Sequence, residues 1–249
     1  MKTLPKLASA VACVAAAGSL AIAPVQAAPA TGPVKDVVIV PGQTFGSLPY
    51  TPLKDSLEQS GYRVTVLSTE GTNLPADARV IAGTVDGIRK AHPKDGIALV
   101  GHSVGGLSAR YYLKELGGAS KVKTYVAIGT PQYGNPAGCT QSGTAHDVCP
   151  TTPFMKALNG GVNAVGSTQY YSIRSSKEWV DGRLTGRQCR MAPISSITSK
   201  GDIDHIIEPL DPRVAAQVKA ALAGNCQGQT VTAPVGSINV NQTLYPGGR

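Results

Sequence analysis

The sequence predicts an α/β fold in which a mainly parallel central sheet is covered by helices on both faces. Short runs rich in β-branched residues, such as VVIV at residues 37–40, have the composition of strands that are buried on both faces. These runs alternate along the chain with segments whose apolar residues recur at helical spacing. Alternation of strands and helices is typical of parallel sheets.

Each predicted element follows from its local pattern. Residues Val80, Ile81, Val85 and Ile88, for example, share one face of a helix. The predicted strands, in which apolar residues cluster or alternate, are 37–40, 63–67, 97–100, 122–128, 170–173 and 193–198. The predicted helices, which have helical periodicity and in two cases end at glycine, are 52–60, 76–91, 104–116 and 212–222, with a short one near 153–158.

The first 27 residues have the pattern of a secretory signal peptide. Lys2 and Lys6 precede a long Ala/Val/Leu run that ends at VQA, a small-x-small sequence. The competing interpretation is an uncleaved membrane anchor, since the apolar run is long for a leader. We therefore expect secretion after cleavage near Ala27. The predicted organisation is a signal peptide at 1–27, one catalytic domain at 28–227 and a polar, flexible tail at 228–249.

The chain carries a net charge of +8, and its positive residues are scattered rather than clustered. No basic run with interleaved aromatic residues occurs, so a nucleic-acid partner is not expected. Four cysteines follow the leader, and an even number in a secreted chain indicates two disulfides. Of the three possible pairings we favour Cys139–Cys149, which closes a short loop, with Cys189–Cys226.

Ser103 lies in the sequence GHSVG, between a predicted buried strand and a predicted helix. Gly101 and Gly105 leave room for neighbouring backbone in a sharp strand-to-helix turn. The serine hydroxyl then projects at the carboxyl edge of the sheet, where the helix N-terminus favours developing negative charge. This context predicts the nucleophile elbow of an α/β-hydrolase fold.

A serine nucleophile needs a base and an acid, which in this fold follow the serine in the order acid, then histidine. His205 precedes the last helix and is the expected base, whereas His92 and His102 precede Ser103, and His146 lies in the expected disulfide loop. Two carboxylates follow the strand at 170–173. Either Glu178, which is nearer the strand end, or Asp181, the commoner residue type, is the acid.

Two backbone N–H groups should bind the oxyanion that forms on attack. One belongs to Val104, directly after the nucleophile. The other is expected in the loop that follows the first strand, PGQTFG, and Gln43 is the predicted donor.

With these residues in place, the chain resembles the small secreted bacterial lipases of the α/β-hydrolase superfamily. The similarity extends over residues 34–224 and is clearest in IALVGHSVGGLSARYYLKEL, KVKTYVAIGTPQYG, YYSIRS and DIDH. In that family the acid follows a YxSI strand, which favours Glu178, although aspartate is usual there. The family usually has His-Gly where this chain has Pro41-Gly42, so the oxyanion loop should be hydrogen-bonded differently. The resemblance implies no cofactor. Some relatives bind calcium near the base, but no matching set of carboxylates is present here, so we expect no metal.

Together these features predict a monomeric, secreted serine carboxylic-ester hydrolase, specifically a lipase that acts on acylglycerols or related esters at a lipid–water interface. A short-chain esterase or a polyester depolymerase would use the same residues. The alternative from another class is a non-catalytic, hydrolase-like scaffold that binds the cell envelope. The segment 132–166 is a candidate lid. Candidate walls of an acyl groove are Phe45, Leu48, Tyr50, Tyr133, Phe154, Met155, Trp179, Ile206 and Ile207.

Overall fold

The computed structural model describes residues 32–43 and 46–245. The predicted signal peptide and Phe45 lie outside these residues. The strands are β1 (Val34–Val40), β2 (Arg63–Val66), β3 (Gly96–His102), β4 (Thr124–Ile128), β5 (Gln169–Ile173), β6 (Gly186–Met191) and β7 (Gly228–Ala233). The α-helices are α1 (Thr51–Glu58), α2 (Leu74–Ala91), α3 (Val104–Glu115), α4 (Pro153–Asn159), α5 (Gly201–Ile207) and α6 (Pro212–Leu222).

The described strands form a seven-stranded sheet in the order β2-β1-β3-β4-β5-β6-β7. Strands β1 to β6 pair in parallel, and β7 pairs antiparallel to β6. The middle strands β1, β3 and β4 are almost wholly buried, which explains their continuous apolar sequences. Because parallel strands share one direction, the carboxyl ends of β1, β3, β4 and β5 meet at one edge of the sheet, where ligands bind in open α/β sheets.

Helices cover both faces of this sheet. Alternate residues of β1 divide between the two layers: Val37 and Ile39 pack toward α1 and α6, whereas Val38 and Val40 pack toward α2 and α3. A smaller cluster joins α3 to α4 through Leu107, Met155 and Leu158. The predicted fold class is therefore confirmed. None of the helices within residues 32–43 and 46–245 combines the length and apolar character needed to cross a bilayer.

The predicted strand at 193–198 is wrong, because the sixth strand is β6, which ends before it. Residues 193–198 are irregular, with an isolated bridge between Ser175 and Ile194. The carboxylate of Asp204 accepts hydrogen bonds from the N–H groups of Ile197 and Thr198, at 3.1 and 2.7 Å, so these donors are not used in a strand ladder. The actual strand, β6, has the polar sequence GRQCRM, which does not have the apolar pattern by which the other strands were predicted.

Residues 228–245 contain ordered elements within the segment 228–249, which was expected to be a flexible tail. Strand β7 extends the sheet at its edge, and its largely exposed side chains explain why the segment has a linker-like composition. Residues 240–245 then return to the loop that follows β5. Asp181 N donates to Thr243 O at 2.9 Å, and the Tyr245 hydroxyl donates to the Asp181 carboxylate at 2.6 Å.

The structure contains both disulfides that the sequence analysis favoured. Cys139–Cys149 joins residues 10 apart in sequence, within the long connection between β4 and β5. Cys189–Cys226 joins residues 37 apart and ties β6 to the segment that enters β7. A crosslink restricts the unfolded chain more when its loop is longer.

Removing the longer crosslink should therefore cost more stability. The pair Cys189→Ala with Cys226→Ala should lower the free energy of unfolding by about 4 kcal/mol, against about 3 kcal/mol for Cys139→Ala with Cys149→Ala. Equilibrium denaturant unfolding of both double variants beside the parent measures the difference. A larger loss for the 139–149 pair would contradict the loop-length argument.

Candidate active site

Ser103 lies in a strained turn between the end of β3 and the start of α3. Its backbone dihedrals are φ 53° and ψ −131°, a conformation that costs a non-glycine residue about 1–3 kcal/mol. The turn is held because Ser103 N donates to Ile128 O at 2.9 Å. It is also crowded: a Cβ on Gly105 would lie 2.2 Å from Pro41 O. The sequence motif GHSVG therefore forms the tight elbow that was predicted.

Three side chains meet at this elbow. His205, on α5, places Nε2 2.9 Å from Ser103 Oγ and Nδ1 3.0 Å from Glu178 Oε2. The Glu178 side chain is fully buried, and its Oε1 accepts hydrogen bonds from the N–H groups of Trp179 at 2.7 Å and Val180 at 3.2 Å. The arrangement places a hydroxyl, an imidazole and a carboxylate in one hydrogen-bonded series, in the order predicted for a nucleophile, a base and an orienting acid.

Asp181, the alternative acid, faces different partners. Its carboxylate binds Arg183, Arg190 at 2.5 Å and the Tyr245 hydroxyl at 2.6 Å. Burial alone would raise the pKa of Asp181, but these hydrogen bonds and charges outweigh it, and the pKa is lowered. The geometry thus brings Glu178, and not Asp181, to His205.

The two predicted oxyanion donors lie close together. Val104 is the first residue of α3, and N–H groups in the first turn of a helix have no intrahelical acceptor. Gln43 lies beside it across Gly71, which was not identified from the sequence. A Cβ on Gly71 would lie 2.8 Å from both Val104 Cγ2 and Gln43 Cα. With its positive φ of 69°, Gly71 permits this close packing. The role of both N–H groups as donors stays a prediction.

A series of buried hydrogen bonds holds the loop at Pro41-Gly42. Gly42 N donates to the Tyr50 hydroxyl at 2.7 Å, and that hydroxyl lies 2.8 Å from His102 Nδ1. His102 Nε2 lies 2.8 Å from His205 O. Burial and the nearby His205 lower the pKa of His102 to about 3, so the ring is neutral near pH 7. A neutral ring that donates from Nε2 accepts at Nδ1, so the series of hydrogen bonds runs from the loop after β1 to the backbone carbonyl of His205.

Asp204 fixes the position of α5, which carries His205. Besides the two backbone donors at 197 and 198, its carboxylate accepts from the hydroxyls of Ser175, Ser196 and Thr198 at 2.7 to 2.8 Å. Burial would raise the pKa of Asp204, but these hydrogen bonds lower it to about 2. Among the described residues, no cluster of three or more His, Cys, Asp or Glu side chains could hold a metal ion.

The candidate groove residues separate into core and surface. Tyr50, Tyr133 and Met155 are buried, whereas Leu48 and Ile206 are exposed, with 83% and 45% of their surface accessible. Trp179 is half-buried, and its ring centroid lies 5.0 Å from that of His205. The 132–166 segment, the candidate lid, contacts the oxyanion loop through a hydrogen bond from Gln43 Nε2 to Gln141 Oε1 at 2.9 Å.

Comparisons with known proteins show the fold. No protein-family model and no curated protein matches the sequence. Among solved structures, Aspergillus fumigatus lipase B is similar with a TM-score of 0.60 and 17% identity, over 88% of this chain and 60% of the lipase. The product of gene lin2722 from Listeria innocua has a TM-score of 0.51 and 13% identity, over 76% and 94%. The propeptide form of Bacillus licheniformis lipase BlEst2 has a TM-score of 0.49 and 15% identity, over 60% of this chain and 38% of that lipase.

The chain thus spans 60% of the length of the Aspergillus lipase and 38% of that of the Bacillus lipase. At these identities, the similarity identifies a shared fold. Together with the seven-stranded, mainly parallel sheet, it shows that this chain has the α/β-hydrolase fold.

Gly71→Ala should disturb the oxyanion loop. The added methyl would lie 2.9 Å from Gln43 N, so the loop must shift, and we expect kcat for an ester substrate to fall about 10- to 100-fold. Steady-state kinetics on a folded sample measures the effect. Gly83→Ala is the matched control, because a methyl on this exposed helical glycine meets nothing within 4 Å. Equal kinetics for the two variants would contradict the role given to Gly71.

Proposed function

We propose that this protein is a secreted serine carboxylic-ester hydrolase that acts on acylglycerols. The observation that carries the proposal is the hydrogen-bonded sequence Ser103–His205–Glu178 at the carboxyl edge of the sheet. Histidine between a strained serine and a buried carboxylate is the arrangement by which hydrolases activate a hydroxyl. The shared fold with a structure described as a lipase supports the same reaction class.

The first half-reaction transfers the acyl group to the enzyme. Ser103 Oγ attacks the ester carbonyl carbon while its proton passes to His205 Nε2. Glu178 accepts the Nδ1–H hydrogen bond and stabilises the imidazolium. The N–H groups of Gln43 and Val104 bind the oxyanion. The tetrahedral intermediate then collapses, the ester C–O bond breaks, and His205 gives its proton to the departing alcohol.

The second half-reaction regenerates the serine. A water molecule gives a proton to His205 Nε2 and attacks the acyl-enzyme carbonyl carbon. The bond from that carbon to Ser103 Oγ breaks, and the oxygen recovers its proton from His205. The products are a carboxylic acid and free enzyme, so each turnover consumes one water molecule.

An apolar rim supports an acyl-bearing substrate. Leu48, from the loop after β1, and Ile206 and Leu210, from α5 and the turn after it, are large apolar side chains with 83%, 45% and 45% of their surface exposed. They flank the elements that carry Gln43 and His205. Exposed apolar groups around a polar site favour contact with hydrocarbon chains. This is why we favour a lipase over a short-chain esterase or a polyester depolymerase.

Secretion as a monomer completes the proposal. The leader-like sequence at 1–27 directs export, and the two disulfides suit an oxidising compartment. A lipid or ester substrate is the only partner that the reaction requires.

Hydrolysis of p-nitrophenyl esters from acetate to palmitate should depend on Ser103. We expect Ser103→Ala to lower kcat by several orders of magnitude, because no other group can form the acyl-enzyme. Activity that continues to long acyl chains supports a lipase, and activity confined to short chains supports an esterase. If folded parent and Ser103→Ala are equally inactive at every length, the envelope-binding scaffold becomes the better interpretation.

Glu178→Gln and Asp181→Asn form a matched pair of amide substitutions. Glu178→Gln should reduce kcat by up to about 10⁴-fold, because the amide no longer stabilises the imidazolium. Asp181→Asn should keep kcat within about tenfold and instead lower the melting temperature, since Arg183 and Arg190 lose a buried anion. The opposite pattern, with activity lost only in Asp181→Asn, would refute the assignment of the acid.

A further inference from the structure

A second carboxyl group, that of Glu208, is buried behind His205 and has no part in the reaction above. Glu208 follows α5 directly, and its side chain is fully buried. Its Oε1 accepts a hydrogen bond from Ser175 N. Its Oε2 is buried without any hydrogen-bond donor among the described residues. An unsatisfied buried carboxylate oxygen is costly, so this atom needs an explanation.

The position of this oxygen supplies one. Glu208 Oε2, Glu178 Oε2 and His205 Nδ1 each lie 2.9 Å from the point where a Cβ on Gly129 would be. The three groups therefore converge over one glycine, and the charge of Glu178 acts directly on Glu208. Two carboxylate oxygens both accept and cannot bond to each other. A hydrogen bond between these two carboxyl groups requires that one of them carries a proton.

We propose that Glu208 is a positioning residue whose protonated Oε2 donates a hydrogen bond to Glu178 Oε2 and keeps Glu178 charged toward His205. The inference deepens the proposed function and rests on it for the roles of Ser103, His205 and Glu178. Glu208 itself touches neither the substrate nor the reacting atoms.

The hydrogen-bond donors decide which carboxyl group holds the proton. Glu178 accepts hydrogen bonds from two backbone N–H groups at Oε1 and faces His205 at Oε2, so its negative charge is stabilised by more hydrogen-bond donors. Glu208 accepts a single backbone N–H among the described residues. Burial, followed by the charge of Glu178, raises the pKa of Glu208 well above its ordinary value, and Asp204 adds to the effect.

The titratable groups around Glu208 come from several elements. Glu178 comes from the loop after β5, and Asp204 and His205 come from α5. The His102 imidazole and the Tyr50 phenol lie beyond His205. Arg213, at the start of α6, lies close to Asp204.

The proton on Glu208 fixes the direction of the hydrogen bond between His205 and Glu178. With Glu178 charged, His205 donates from Nδ1, and the free lone pair of Nε2 faces Ser103. Loss of the Glu208 proton would place two buried negative charges side by side. This would displace one carboxylate and loosen the imidazole.

Glu208→Gln and Glu208→Met separate proton donation from volume. The glutamine amide can accept from Ser175 N with its oxygen and donate to Glu178 with its nitrogen, whereas methionine has similar length and no donor. We expect kcat for p-nitrophenyl esters to stay within about threefold in Glu208→Gln and to fall at least about tenfold in Glu208→Met. A role in packing alone would make the two variants equivalent.

Two further measurements do not depend on turnover. The parent at neutral pH should show the infrared C=O stretching band of a protonated carboxyl group, and Glu208→Gln should lack it. The pKa of Glu208 is near 4.5 in the unfolded chain and higher in the folded chain, so the folded state binds more protons between these values. The parent therefore loses stability as pH rises through this range. Glu208→Gln does not, and the melting temperature of the variant relative to the parent should increase with pH.

Absence of the infrared band, a melting-temperature difference that is flat with pH, or equal impairment of both variants would overturn the inference. Failure of the proposed function is distinguishable from this. If Ser103→Ala retained the full ester turnover of the parent, the hydrolase assignment would fall, while the infrared band and the melting series would still report where the proton lies.

Discussion

The close approach of backbone at the end of β3 is the constraint on which the remaining structure depends. Cβ atoms on Gly101 and Gly105 would lie 2.5 Å from Gly106 Cα and 2.2 Å from Pro41 O, so α3 touches both β3 and the loop after β1. This contact restricts the backbone conformation at Ser103. Its positive φ is maintained because the surrounding packing allows no other conformation there. The hydroxyl position is thereby fixed, and the other groups of the site are arranged around it.

A line of hydrogen bonds then couples the two halves of the site. The oxyanion loop is anchored by Gly42 to Tyr50, and His102 connects Tyr50 to the backbone of His205. If His102 were charged, both ring nitrogens would donate, and Nδ1 could no longer accept from the Tyr50 hydroxyl. The lowered pKa of His102 therefore preserves this series of hydrogen bonds. The hydroxyl of Tyr50 thus anchors the loop that contains Pro41, a residue with no side-chain hydrogen-bond donor.

Local signals in the sequence were sufficient to predict the tight turn at Ser103 and to single out the histidine that lies beside it. GHSVG between a buried strand and a helix, and the position of His205 before the last helix, are contiguous patterns. Which carboxylate faces His205 could not be predicted locally, because it depends on Arg190 and Tyr245, which approach Asp181 from distant parts of the chain. Strands β6 and β7 were missed because their sequences are polar. β7 lies at the edge of the sheet with largely exposed side chains, and β6, between β5 and β7, has the polar sequence GRQCRM although half of its residues are buried.

The negative charges of the buried carboxyl groups in this region are compensated in two physically different ways. Asp181 is buried between Arg183 and Arg190, so fixed cations compensate its charge at any ordinary pH. Glu178 and Glu208 instead share a site with His205, which in the proposed reaction gains and loses a proton in each turnover. A fixed cation there would stabilise Glu178 equally whether His205 is charged or neutral, and would compete for its hydrogen bonds. A proton-holding carboxyl group donates to Glu178 without adding charge, so the charge of Glu178 is left for the imidazolium alone.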